Sequence, residues 1–147
     1  MPHQTNTYTL PRDGQRALRF SGTLLAESLG DHSQGRDANR YYRLAVYQTA
    51  NGTYLSVWRY RSQWQGEAQH DRVEDFGTLE GAVKALEEFD PCEWLEGYKA
   101  MLARYAGDDT GKQYAARQQA LERDIRTRYQ AQVAELCEAL GLVEDVL

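Results

Sequence analysis

A chain of 147 residues is the usual size of one domain and can bury a sizeable core, so residues 1–147 are expected to form a single unit. Two cysteines, Cys92 and Cys137, are too few for a stapled secreted scaffold, and Met1 to Leu10 lack the charged start and apolar run of a leader. No window approaches the roughly 20 apolar residues that span a bilayer, so neither export nor membrane insertion is expected, and the cytoplasm is the expected location. The net charge of -5 is unevenly held: residues 1–76 carry nine Arg and eight acids, and residues 77–147 eight bases and fourteen acids. An acidic second half disfavours broad phosphate-backbone binding, which needs clustered Lys and Arg to displace counterions.

In chain order, residues Thr5 to Leu10 fit a short edge strand ended by Pro11 and the turn-prone Asp13-Gly14. From Ala17 to Glu27 the pattern alternates, with Leu18, Phe20, Leu24 and Ala26 on one face and Arg19, Ser21, Thr23 and Glu27 on the other. Gly30 to Asn39 has no periodicity and many turn formers, and is expected to be a mobile loop. Arg40 to Thr49 and Thr53 to Arg61 are β-rich runs joined by Ala50-Asn51-Gly52, a hairpin signal. A second connection around Gly66 leads to a last, weakly patterned strand from Gln69 to Asp75 with Val73 inward, giving an antiparallel meander of about four strands over residues 5–76.

After Phe76-Gly77 the period changes to that of a helix. Thr78 can cap a helix that lines up Leu79, Ala82, Val83, Leu86 and Phe89. Asp90, Pro91 and Glu93 then read as the start of a second helix bearing Trp94, Leu95, Tyr98, Met101, Leu102 and Tyr105. Gly107 to Thr110 closes it. A third helix, from about Lys112 to Leu140, carries a stripe of Tyr114, Leu121, Ile125, Tyr129, Val133, Leu136 and Leu140, narrow enough to suggest packing on the preceding helix or on a second copy of the chain. The fold class expected is α+β, a meander followed by three helices over residues 78–141, the last two forming a helical hairpin.

Chemistry is sparse. His3, His32 and His70 sit at no metal-ligand spacing, the serines lack a nucleophile-elbow context, and glycine-rich phosphate loops are missing. No catalytic residue, metal or cofactor is expected, and the reading leans away from an enzyme. Counting by twos along the hairpin sets Tyr42, Leu44 and Val46 with Leu55 and Val57 on an aliphatic face. The same count sets Tyr41, Arg43 and Tyr47 with Tyr54, Trp58 and Tyr60 on an aromatic face, the candidate binding surface. Tyr, Trp and Arg dominate interface energetics, so a protein partner or a homodimer is the leading expectation. A nucleic-acid module stacking bases on Tyr41, Tyr47, Trp58 and Tyr60 beside Arg43 is the second, disfavoured by charge. A small-ligand or enzymatic site assembled only in the fold is the third. The acidic run Glu80, Glu87, Glu88, Asp90, Glu93 and Glu96 suits a basic partner surface or a solvated face.

The segment Arg19 to Glu27, the Tyr-rich hairpin beginning Tyr42-Arg43, Phe76-Gly77-Thr78-Leu79-Glu80 and a Leu-Gly before the acidic end resemble, in that order and over most of the chain, the uncharacterised bacterial EXLDI family. Where that family carries its naming motif this chain ends Glu144-Asp145-Val146-Leu147, and the resemblance implies no established activity. The aromatic strands followed by Phe76, Thr78, Glu80 and Ala82 also resemble the layout of WGR domains, which are associated with DNA repair. Gln63-Trp64-Gln65-Gly66 stands where those domains have Trp-Gly-Arg, so this resemblance implies only a sheet followed by a helix.

Overall fold

The structure, a computed structural model, describes residues 5–30, 40–64, 67–96, 103–104 and 107–143. The fold is α+β, with five strands where about four were expected: β1 (Asn6–Arg12), β2 (Gln15–Leu29), β3 (Arg40–Thr49), β4 (Tyr54–Ser62) and β5 (His70–Phe76). All neighbours pair antiparallel in the order β1-β2-β3-β4-β5. Strand β1 runs through Pro11 instead of ending there, because it lies at the sheet edge and its register shifts at that residue. An edge bulge is where a residue without an N–H is tolerated.

Strand β2 is long enough to serve two neighbours. Its first half pairs with β1 and its second half with β3, and Gly22 stands at the join, partnered with both Asn6 and Thr49. The sheet curls there, so that the β1–β2 turn reaches β5: the Asp13 N–H donates to the Asp71 carbonyl at 2.8 Å, and Asp13 Oδ1 accepts from the Asp71 N–H at 2.9 Å. His70 reinforces the closure, with Nδ1 2.8 Å from Asp13 Oδ2 and its ring stacked on Trp94 at 4.6 Å. All five strands therefore contribute to one interior cluster, in which Leu10, Ala45, Tyr47, Leu55 and Val57 are buried and Tyr8, Leu18, Phe20, Leu24 and Val73 pack around them.

A register shift between Leu24 and Ala26 inserts one extra residue into β2. That bulge corrects the expected alternation: Leu18, Phe20 and Leu24 face the interior cluster, and Ala26 turns to the opposite face. There the helices α1 (Leu79–Glu88) and α2 (Asp109–Ala139) cover Tyr42, Leu44, Val46, Trp58 and Tyr60. The expected cap holds, with Thr78 Oγ1 accepting from the Gly81 N–H at 3.0 Å. Asp108 caps α2 in the same way, from the Gly111 N–H at 2.7 Å.

The stripe of α2 (Leu121, Ile125, Tyr129, Val133 and Leu136) is buried in this main core, against the sheet and α1. The expectation was that a stripe so narrow would pack on the preceding helix or on a second copy of the chain; instead it lies on the sheet, where Gln132 spans the gap, donating to the Tyr42 carbonyl at 2.9 Å and the Ser28 hydroxyl at 3.2 Å. Of the expected second helix, Pro91 to Trp94 form turns and Glu96, Ala103 and Arg104 are helical, while Tyr98, Met101, Leu102 and Tyr105 lie outside the described residues, as do residues 31–39 of the expected loop. No helix among the described residues is long and apolar enough to cross a membrane.

Candidate interaction face

The hairpin connection is three residues long, closed by the Thr49 N–H to the Thr53 carbonyl at 2.9 Å, and an odd loop sets residues of like parity opposite one another. Cross-strand partners share a face, so the register Tyr42↔Tyr60, Leu44↔Trp58, Arg43↔Arg59 and Tyr41↔Arg61 decides which side chains meet. The expected aromatic face divides accordingly. Tyr54, Trp58 and Tyr60 join Tyr42 on the side of the helices, and Tyr41, Arg43 and Tyr47 share the opposite side with Arg59 and Arg61.

The two groups meet different fates. Trp58 is 1% exposed and Tyr60 0%, both inside the main core, and Tyr54 is half-buried beside Gln48. Tyr47 is enclosed by the N-terminal hairpin, with ring centres 4.8 Å from Tyr8 and 5.4 Å from Phe20. Tyr41, half-buried, and Arg43, exposed, remain at the surface. The Arg43 guanidinium lies 5.5 Å from the Tyr41 ring centre, and its Nε donates to the Gly30 carbonyl at 3.3 Å. Arg59 and Arg61 converge on one carboxylate, Asp71, at 3.2 and 2.8 Å. Glu27, opposite Ala45, and the 55% exposed Leu29, opposite Arg43, border the patch.

Arg59 and Arg61 share the parity of Leu55 and Val57, which the alternation alone sets beneath the helices; the odd length of the connection is the signal that puts them here. Behind the patch lies a pair that no local pattern announces. The Arg40 guanidinium donates from Nε to Glu67 at 2.9 Å, both side chains are essentially inaccessible, and Glu67 also accepts from the Tyr60 hydroxyl at 2.6 Å and the Ser62 hydroxyl at 3.0 Å. The Trp64 ring stacks on Arg40 at 4.8 Å. Burial pushes the Glu67 carboxyl up, but the hydrogen bonds from Arg40, Tyr60 and Ser62 together with the Arg40 charge outweigh it and hold the group below its ordinary value. Burial likewise pushes the phenols of Tyr42, Tyr60 and Tyr129 up, so they stay neutral hydrogen-bond donors.

Among the described residues no group of three or more His, Cys, Asp or Glu side chains is placed to hold a metal ion. The hollow enclosed by Arg40, Tyr42, Tyr60, Arg128 and Tyr129 has room for about 10 Å³, one water at most. What the surface does present is a planar cation over a phenol, flanked by two more guanidiniums sharing one acid. Comparison with protein-family models, with curated proteins and with solved structures finds no match to the chain.

Proposed function

We propose that the protein is a small interaction module that holds an acidic segment of a protein partner against the open arginine face of its sheet. The observation that supports this most directly is the state of Arg43: exposed, over Tyr41, and bonded to a backbone carbonyl with no carboxylate within ion-pair distance among the described residues. An Arg fork with no carboxylate partner among the described residues is the group best shaped to take a carboxylate in two parallel hydrogen bonds. Tyr41 supplies the flat apolar contact beside it, the combination that carries most energy in protein interfaces. A single-strand nucleic-acid reading has less support, because three of the four rings it would stack bases on, Tyr47, Trp58 and Tyr60, are interior.

Fluorescence anisotropy with a labelled Asp/Glu-rich peptide tests the reading. Binding is expected to weaken by at least about tenfold in Arg43→Glu, a loss of about 1.4 kcal/mol. Undiminished affinity in that variant would overturn the proposal, and tighter, Arg43-dependent binding of a single-stranded oligonucleotide would move the face to nucleic acid.

A further inference from the structure

A second surface lies between the helices and involves no strand. Gly141, at φ 72°, turns the chain after α2 so that the Leu142 N–H returns to the Cys137 carbonyl at 2.9 Å. This lays Leu142 and Val143 beside Cys137 and opposite Val83 of α1, around a hollow of about 710 Å³. A further hollow of about 290 Å³ shares Glu87 and Cys137 and continues the groove along α2 past Ala134 and Gln130. Val143 is 85% exposed and Leu142 36%, which makes them two of the three large apolar side chains at the surface among the described residues.

The potential over this groove is negative from independent sources. Glu80, Glu87 and Glu88 stand on its rim against Lys84 alone, and Lys84 lies 3.8 Å from Glu88. The carbonyl ends of both helices border it as well, Glu87 and Glu88 closing α1 and Cys137 near the end of α2, and neither last turn contains a basic residue. Helices ordinarily place Lys or Arg at that negative end, so the arrangement costs the isolated chain stability that a cation from outside would restore. Cys137 reports the same field: burial, then the Glu87 charge, push its thiol up.

We infer that the groove between α1 and the end of α2 docks a basic amphipathic helix of a partner protein, its apolar stripe on Val83, Cys137, Leu142 and Val143 and its Lys or Arg side chains against Glu80, Glu87 and Glu88. Glu144 and Asp145, which follow Val143 in the sequence, carry the same sign of charge as the rim. The surface is separate from the arginine face, and its occupant has the opposite charge.

Cys137 makes the site measurable, because the only other thiol, Cys92, is buried and serves as an internal reference. The probe is a synthetic helical peptide with a leucine stripe flanked by Lys and Arg, and the readout is the rate of Cys137 alkylation by mass spectrometry. At ten times its Kd the peptide is expected to slow alkylation about tenfold. Exchanging its Lys and Arg for Glu is expected to abolish the protection. Glu87→Lys with Glu88→Lys is expected to weaken peptide binding at least about tenfold while leaving the fold intact or firmer, since both changes place cations at a helix C-terminus. Arg43→Glu is expected to leave the protection unchanged, so this inference and the arginine face fail separately. Three results would overturn the inference: no protection by the basic peptide, equal protection by its acidic counterpart, or protection without peptide that rises with protein concentration, which would mean that a second copy fills the groove.

Discussion

The Trp58 indole N–H donates to the Tyr129 hydroxyl at 3.1 Å, and that hydroxyl donates in turn to the Leu86 carbonyl. One phenol thereby ties β4, α2 and α1 together, and it satisfies one of the last four carbonyls of α1, which have no partner within the helix. Tyr129→Phe keeps the ring and removes both bonds, leaving a buried donor and a buried acceptor unpaired. A destabilisation of about 1–3 kcal/mol is expected in urea unfolding, with Trp58 emission as the probe. A change below about 0.5 kcal/mol would show that the two groups find other partners.

The Arg40–Glu67 pair sets an acid limit on stability. Because the folded Glu67 carboxyl lies below its ordinary value of 4.5, the folded state binds fewer protons than the unfolded chain in acid. Its contribution is fully present above about pH 4.5 and is lost as pH falls through the lower, folded value. Glu67→Gln removes the charge that opposes the buried Arg40 guanidinium, an expected loss of about 3–5 kcal/mol at pH 7. The gap between wild type and variant is expected to narrow below pH 4.5 in unfolding measured from pH 7 to pH 3. A gap that stays constant through that range would remove the carboxylate from the account.

For the arginine face, charge and shape are separable at one position. Arg43→Lys keeps the cation but loses the planar fork and its stacking on Tyr41. Affinity for the acidic peptide is expected to fall less than in Arg43→Glu, and to fall further as salt is raised, because a lone ammonium at an exposed site is screened. Equal affinity of Arg43→Lys and wild type would reduce the face to a charge effect.

The elements were legible in the sequence where local chemistry decides them: the Ala50-Asn51-Gly52 hairpin, the Thr78 cap and the stripe of α2 all follow from spacing. The faces were not. A single extra residue at the Leu24–Ala26 bulge moves Ala26 from one side of the sheet to the other, and nothing in an alternating run marks where a strand gains a residue. The hairpin register had the same effect on Trp58 and Tyr60, whose exposure depends on whether the turn is odd or even, not on their own identity. Arg40 and Glu67 are 27 positions apart, so their pairing depends on the β3–β4 register and the return of the chain after β4. The curl of the sheet hides in Gly22, which in the sequence is an ordinary glycine inside a strand.

That glycine gives the sharpest test of the curl. A Cβ at Gly22 would sit 2.2 Å from the Gln48 carbonyl oxygen, a backbone atom fixed in β3, so the strand would have to move to admit it. Gly22→Ala is expected to cost about 1–3 kcal/mol, the usual penalty of forcing a methyl into packed structure. The damage should be local to the fold of β1 over the interior, so thermal unfolding of the variant is expected to be accompanied by faster amide exchange at the Asp13 and Asp71 N–H groups that close the curl. Gly77→Ala, where a Cβ meets nothing within 4 Å, is the control and is expected to stay within about 0.5 kcal/mol of wild type. Equal stability of the two variants would mean that β2 does not bend at Gly22 in solution, and the interior cluster around Tyr47 would then have to be closed by some other movement of the N-terminal hairpin.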